Sequence, residues 1–229
     1  MFQADVLSVT QRASTGDLPS MPRVAELMAQ VHERYAGLDK GAVADYIPIL
    51  AAANPKWFGL ALVGVNGGAH AVGDADIQFS IQSISKAFVF ALVCEAIGHE
   101  AVHARVGVNN TGLSFNSVIA VELNDGSPMN PMVNAGAIAT TALMPGATAE
   151  EQWENIRAGL SRFAARPLET DAAVYRSEAL TNQRNQAIAR LLQSYGRLDA
   201  DSLEIVDIYT RQCAIAVTAT DLAVMGATL

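Results

Sequence analysis

A short hairpin pattern followed by an almost unbroken series of helix patterns is the feature that most constrains the fold of this chain. Residues 57–65 and 69–73 are typical of strands, and Asn66-Gly67-Gly68 between them is typical of a tight turn. These patterns predict an antiparallel hairpin followed by a mainly helical remainder of the chain. The later helices are predicted at residues 84–97, 100–105, 134–143, 149–164, 171–194, 202–213 and 218–227.

The N-terminal part is predicted to hold a lead-in and two helices. Residues 1–22 are mainly polar and resemble a loose lead-in. Residues 23–36 place apolar side chains at helical spacing, and a second short helix is predicted at 43–53. We therefore divide the chain into the lead-in and one domain, residues 23–229.

The predicted sheet is small. Both strand patterns lie before residue 75, and an isolated hairpin is marginally stable in water. An ordinary sheet has about five or six strands. We therefore expect that some strands of the complete sheet are missing from this chain.

Composition and charge restrict the class of protein. A chain of 229 residues that is 51% hydrophobic can bury a sizeable core. Its most apolar stretch, residues 81–98, is interrupted by Gln82, Lys86 and Glu95, so we expect no membrane span. A net charge of −8 argues against nucleic acid and anionic membranes as partners. The first residues lack the basic and apolar regions of a secretory signal, and we expect a cytoplasmic protein.

The cysteines and histidines predict neither a disulfide framework nor a metal site. Cys94 and Cys213 are interpreted as reduced core thiols. His99 and His103 are four residues apart, but two ligands without a third are weak support for a metal. We expect no metal and no cofactor.

A serine three residues before a lysine is the strongest chemical pattern. Ser83 and Lys86 stand at the start of the apolar stretch 87–93. Positions three apart share a helix face, so the hydroxyl and the amine can meet, and a neutral amine can take the hydroxyl proton. A lysine titrates near 10.4, and neutrality at pH 7 needs a shift of roughly 3 pKa units, which desolvation can supply. The alternative is that Ser83 caps the helix and Lys86 is solvated, and spacing alone leaves both open.

Several further motifs, in a fixed order with this one, resemble the glutaminases of the serine β-lactamase-like superfamily. The resemblance covers the chain from about residue 20 to its end. It implies hydrolysis of L-glutamine to L-glutamate and ammonia without a metal or cofactor, by a homodimer or homotetramer. It also implies an α+β fold of the β-lactamase/transpeptidase type, with a helical subdomain beside an antiparallel sheet whose C-terminal strands are missing from this chain. The motifs are Tyr46-Ile47-Pro48, Phe79-Ser80-Ile81-Gln82-Ser83-Ile84-Ser85-Lys86, Asn130-Pro131-Met132-Val133-Asn134-Ala135-Gly136-Ala137-Ile138, and Glu178 with Arg184-Asn185.

The resemblance implies roles for individual residues. Ser83 matches the nucleophile and Lys86 its activating partner. Glutamine is a zwitterion, and a carboxylate suits its ammonium, whereas amides and hydroxyls suit its carboxylate. Taken singly, the two tyrosines could instead be residues at the edge of the core, the glutamate a charge on a helix surface, and the asparagines turn or cap residues. The residues that match substrate-binding positions are Tyr46, Gln82, Ser83, Asn134, Glu178, Asn185 and Tyr209.

The chain departs from the family in its length. Family members continue well beyond the position that matches Leu229. The resemblance implies that the further part carries a tyrosine that assists proton transfer and a Gly-rich strand that supplies the second oxyanion N–H group. We therefore expect the 229 residues alone to lack useful turnover.

Two other functions stay open at this point. A β-lactamase or D-alanyl-D-alanine peptidase shares the Ser-x-x-Lys pattern but works outside the cytoplasm. An inactive fragment or pseudoenzyme could bind glutamine or a partner subunit without turnover.

Overall fold

The computed structural model describes residues 20–229, so most of the predicted lead-in, residues 1–22, lies outside the described residues. Helix α1 spans Met21–Tyr35, close to the prediction. The predicted helix at 43–53 is wrong, since only Leu50–Ala52 forms a single 3-10 turn there. Pro48 explains the difference, because a proline lacks the N–H group that a helix needs and disfavours helical geometry in the preceding residue.

The predicted hairpin is confirmed. Strand β1, Gly59–Val63, pairs antiparallel with β2, Ala69–Gly73, in a register that places Leu60 opposite Val72. The Gly64 N–H group closes the turn by donating to Gly68 O at 2.8 Å. Helix α1 and the last helix of the chain, α10 (Ala219–Thr228), pack against this hairpin.

The rest of the chain is mainly helical. A second antiparallel pair, β3 (Phe79–Ser80) with β4 (Ala216–Val217), was not predicted, because two residues are too few to show an alternating pattern. The helices are α2 (Ser85–Ile97), α3 (His99–His103), α4 (Ile119–Glu122), α5 (Asn134–Ala142), α6 (Ala149–Phe163), α7 (Ala172–Ala179), α8 (Gln183–Ser194), α9 (Ser202–Cys213) and α10 (Ala219–Thr228).

The single helix predicted at 171–194 is two helices. Helices α7 and α8 are separated by Leu180, Thr181 and Asn182. The buried Asn182 amide donates to Thr210 Oγ1 on α9 at 3.0 Å, and its carbonyl accepts from Gln186. Asparagine competes for local hydrogen bonds in this way, which favours a break in the helix.

The core lies among α2, α5, α6, α8 and α9, which are neighbours in space. Helix α2 is apolar around most of its surface, as expected for a central helix, and it buries Phe88, Val89, Leu92 and Val93. Two small antiparallel sheets beside this helical core make the fold α+β, as predicted. Among residues 20–229, no helix is long and apolar enough to cross a membrane.

Candidate active site

A cavity of about 630 Å³ lies where the starts of α2 and α5, the junction of α7 and α8, and α9 meet. All eight residues singled out from the sequence line it, although they are spread between positions 46 and 209. They are Tyr46, Gln82, Ser83, Lys86, Asn134, Glu178, Asn185 and Tyr209.

The backbone just before Ser83 has an uncommon conformation. Gln82 has φ +49°, in the left-handed region that residues other than glycine rarely adopt. Ile81 is fixed on one side, since its N–H group donates to Ile215 O at 2.8 Å. Ser83 therefore lies in the 3-10 turn Gln82–Ile84, ahead of α2, with its side chain exposed to the cavity. Strained residues of this kind concentrate at functional sites.

Lys86 is a buried lysine in the first turn of α2. Its side chain is 5% exposed, and desolvation lowers its pKa from the usual value. The ammonium donates to Asn134 Oδ1 at 2.8 Å and to Met132 O at 3.2 Å. Within the described residues no hydrogen bond joins Lys86 Nζ to Ser83, so the two share the cavity but not the direct contact that the spacing predicts.

The Lys86 interaction continues to a second asparagine. The Asn134 amide NH₂ donates to Asn185 Oδ1 at 2.9 Å, which links the starts of α5 and α8. Both ends of the Asn134 side chain are thus occupied. Within residues 20–229 the Asn185 NH₂ group donates to no protein atom, which leaves it available to a ligand in the cavity.

Glu178 is a buried carboxyl group on α7 that lines the same cavity. Burial raises its pKa to about 7, and the hydrogen bond that it accepts from Gln82 Nε2 at 3.2 Å opposes the shift only in part. The carboxyl group is therefore close to half protonated at neutral pH in the unliganded protein. Burial, and then the nearby Glu178, also raise the pKa of Tyr46.

Helix α9 supplies Tyr209 and Cys213, one turn apart. Burial raises the pKa of the Tyr209 phenol well above its usual value, while the Ser83 side chain acts in the opposite direction. Cys213 is a free, buried thiol, as predicted, and burial also raises its pKa. It nevertheless lines the cavity, which the four-residue spacing from Tyr209 could have indicated.

A family model of the glutaminases matches residues 41–229. The chain belongs to the glutaminase family. It is 50% identical over 216 residues to Glutaminase 2 of Yersinia pestis, a match that covers 94% of this chain and 64% of that protein. The chain thus spans less than two thirds of the length of this relative.

Solved structures of glutaminases share the fold. A probable glutaminase superposes with a TM-score of 0.89 at 40% identity, over 92% of this chain and 68% of the other. The structure of Mglu in its glutamate form gives a TM-score of 0.84 at 39% identity, over 89% of this chain and 47% of the other. These similarities support the β-lactamase-like α+β class implied by the sequence resemblance.

Sequence reasoning assigned no role at the site to half of the residues that line this glutaminase-family cavity. Ile47, Met132 and Arg184 were noted only as parts of motifs, and Phe115 belongs to a loop without a helix or strand pattern. The cavity residues without an assigned role are Ile47, Phe115, Asn116, Met132, Thr181, Asn182, Arg184 and Cys213.

Within residues 20–229, no group of three or more His, Cys, Asp or Glu side chains is arranged to hold a metal ion.

Proposed function

We propose that the cavity is a site of L-glutamine hydrolysis to L-glutamate and ammonia, with Ser83 as the nucleophile. The observation that carries the proposal is the convergence of all eight candidate residues on one cavity. Family membership and the relatives named as glutaminases support the same reaction.

The chemistry assigned to Ser83 and Lys86 is acyl transfer. Ser83 Oγ attacks the side-chain amide carbon of glutamine, and Lys86 in its neutral form accepts the hydroxyl proton. The proton passes to the leaving nitrogen, the C–N bond breaks and ammonia departs. Water then hydrolyses the ester that joins the substrate to Ser83, and glutamate is released. The buried position of Lys86 favours the neutral amine that this role requires.

The other cavity residues are proposed to hold the zwitterionic end of the substrate. Glu178 binds the α-ammonium, and Asn134, Asn185, Tyr46 and Tyr209 donate to the α-carboxylate. Because Asn134 already bridges Lys86 and Asn185, the free NH₂ group of Asn185 is the more available donor. The glutamate form of Mglu supports a site that accepts an α-amino acid.

The test is ammonia release from L-glutamine by this chain fused to the part of the Yersinia relative that it does not cover, the form in which all turnover is measured, and by the Ser83→Ala variant of that fusion. Removal of the nucleophile should lower kcat by about 10³-fold or more, since only binding and oxyanion contacts remain. A variant that keeps more than about a tenth of the wild-type turnover would contradict the assignment.

A second candidate is glutamine binding without turnover, which the length comparison favours. This chain spans 64% of the Yersinia relative, and the sequence resemblance places a second oxyanion donor in the remaining part. Loss of one such donor costs about 10²- to 10³-fold in rate. The two candidates separate when the 229-residue chain is compared with a fusion that adds the uncovered part of that relative. Glutamine binding by both, with ammonia released only by the fusion, would support the second candidate for the 229 residues alone.

The β-lactamase or D-alanyl-D-alanine peptidase alternative is not favoured by the family match. Failure to hydrolyse nitrocefin is the expected result. A cytoplasmic location and assembly as a homodimer or homotetramer stay predictions.

A further inference from the structure

A buried chain of hydrogen bonds runs from the middle of the molecule to the turn that carries Ser83. The Thr141 hydroxyl on α5 donates to Gln212 Oε1 at 3.2 Å, and Gln212 Nε2 on α9 donates to Ser85 Oγ at 2.9 Å. The Ser85 hydroxyl in turn donates to the backbone carbonyl of Gln82 at 2.7 Å. Each of these side chains donates a hydrogen bond to the next group, so all three hydrogen bonds point the same way, toward the Gln82 carbonyl.

Thr141, Gln212 and Ser85 form a hydrogen-bond relay. Their side chains are almost inaccessible to solvent. Ser85 and Thr141 are 0% exposed and Gln212 is 1% exposed. Buried hydrogen-bonding groups are costly to leave unpaired, and linked hydrogen bonds strengthen one another. The relay thus favours one orientation of the Gln82 carbonyl over others.

The Gln82 carbonyl belongs to the peptide unit that joins Gln82 to Ser83. Gln82 has φ +49°, and the next residue is the proposed nucleophile. The Gln82 side chain also donates to Glu178 Oε2 at 3.2 Å. A change in the Gln82 backbone would therefore move the Ser83 hydroxyl and the Gln82–Glu178 contact together.

We propose that Ser85 and Gln212, anchored by Thr141, are positioning residues that hold the left-handed Gln82 turn and so aim the Ser83 hydroxyl into the cavity. None of the three lines the cavity, so they act through Gln82 and not on the substrate. This inference rests on the proposed role of Ser83 as the nucleophile.

The variants that test it are Ser85→Ala, Gln212→Met and Thr141→Val. Thr140→Val is the matched control, because Thr140 is the adjacent buried threonine on α5 and donates only to Gly136 O of its own helix. In Ser85→Ala and Gln212→Met the Ser83 hydroxyl should be less well oriented, and kcat for glutamine should therefore fall by about 10- to 100-fold. The KM should stay within about threefold, since the substrate-binding groups are intact. The kcat of Thr141→Val should fall by a smaller factor, and the kcat of Thr140→Val should not change.

A second measurement needs no glutamine. A fluorophosphonate probe labels an aimed serine when Oγ bonds to phosphorus and fluoride leaves, and mass spectrometry gives the labelling rate at Ser83. The labelling rate should fall across the variants in the same order as kcat. A wild-type fusion that takes the label at Ser83 but releases no ammonia would contradict the proposed hydrolysis, while the labelling series would still decide the inference.

Three outcomes would overturn the inference. Wild-type Ser83 that takes no label would do so, as would Ser85→Ala and Gln212→Met variants with unchanged labelling. Equal losses in Thr140→Val and Thr141→Val, in step with their melting temperatures, would show a general effect on stability. If Ser85→Ala does not fold, the comparison of the two threonine variants decides.

Discussion

At the scale of single residues, two effects act in opposite directions on the protonation of Glu178. Burial favours its neutral form and raises its pKa to about 7, whereas an incoming ammonium group favours the carboxylate. Substrate binding should therefore expel a proton from Glu178 in neutral and mildly acidic solution. The identity of Glu178 as a candidate was readable from the sequence motif. Its raised pKa could not be predicted from the sequence, because the pKa depends on side chains almost 100 positions away, such as Gln82.

We expect Glu178→Gln to weaken glutamine capture. The change keeps the shape and removes the charge, and loss of a charge-assisted hydrogen bond costs roughly 1.5–3 kcal/mol, or about 10- to 100-fold in kcat/KM. The wild-type kcat/KM should also fall as the pH drops below about 7, and the variant should lose this dependence. Steady-state kinetics between pH 5.5 and 8.5 would measure both, roughly spanning the shifted pKa. Glu33→Gln, at an exposed position on α1, is the control. An unchanged kcat/KM in Glu178→Gln would show that the residue is structural.

The same carboxyl group should make stability depend on pH. Its folded pKa is raised from 4.5 to about 7, so the folded state binds the proton more tightly than the unfolded state. This contribution is fully present below about pH 4.5 and is lost as the pH rises through 7, up to about 3 kcal/mol in all. The free energy of unfolding of Glu178→Gln, relative to wild type, should therefore increase by up to that amount over the same interval. Denaturant unfolding at several pH values measures it, and a difference that stays flat would contradict the buried, protonated carboxyl group.

At the scale of elements, the start of α5 and the segment just before it place two atoms that accept from Lys86, Asn134 Oδ1 and Met132 O. Gly136 lets this segment fold back on the helix, because a Cβ atom there would lie 1.8 Å from Asn130 O. The motif around Gly136 and the helix after it were predicted from the sequence. The close backbone approach was not, because it depends on how the loop returns to the helix. The break between α7 and α8 escaped prediction for a similar reason, since its partner Thr210 lies on α9.

We expect Gly136→Ala to destabilise the protein by about 1–3 kcal/mol, since the added methyl group meets backbone that cannot rotate away. Turnover should fall as well, because a displaced loop moves the acceptors of Lys86. Gly226→Ala on α10 is the matched control: its Cβ atom would meet nothing within 4 Å, and the change should stabilise by about 0.4–1 kcal/mol. Thermal and denaturant unfolding of both variants measure the difference. Equal stability changes would contradict the steric argument.

At the scale of the whole molecule, most helices were predicted from their periodic apolar patterns, and the hairpin from its two strand patterns and the Asn-Gly-Gly turn between them. The sequence could not predict β3 and β4, whose pairing joins residues more than 130 positions apart. Several large apolar side chains remain on the surface of the described chain, including Val65 at 92%, Leu180 at 77% and Leu123 at 73% exposure. Single exposed apolar side chains are common on monomers and assemblies alike, so the oligomeric state needs a direct measurement.

We expect the protein to assemble as a homodimer or homotetramer. Light scattering coupled to size-exclusion chromatography should give a mass of two or four chains, largely independent of concentration in the micromolar range. A mass of one chain throughout that range would contradict the expected assembly.

Helix α9 has a consequence for how heat should act on this protein. It forms one wall of the cavity through Tyr209 and Cys213, and from its buried side Gln212 reaches toward the turn before α2. One helix therefore contacts both the cavity and, through Gln212 and Ser85, the turn that carries the proposed nucleophile Ser83. A slight tilt of α9 would disturb the two together, so turnover should be lost on warming at temperatures where most of the helices are still folded.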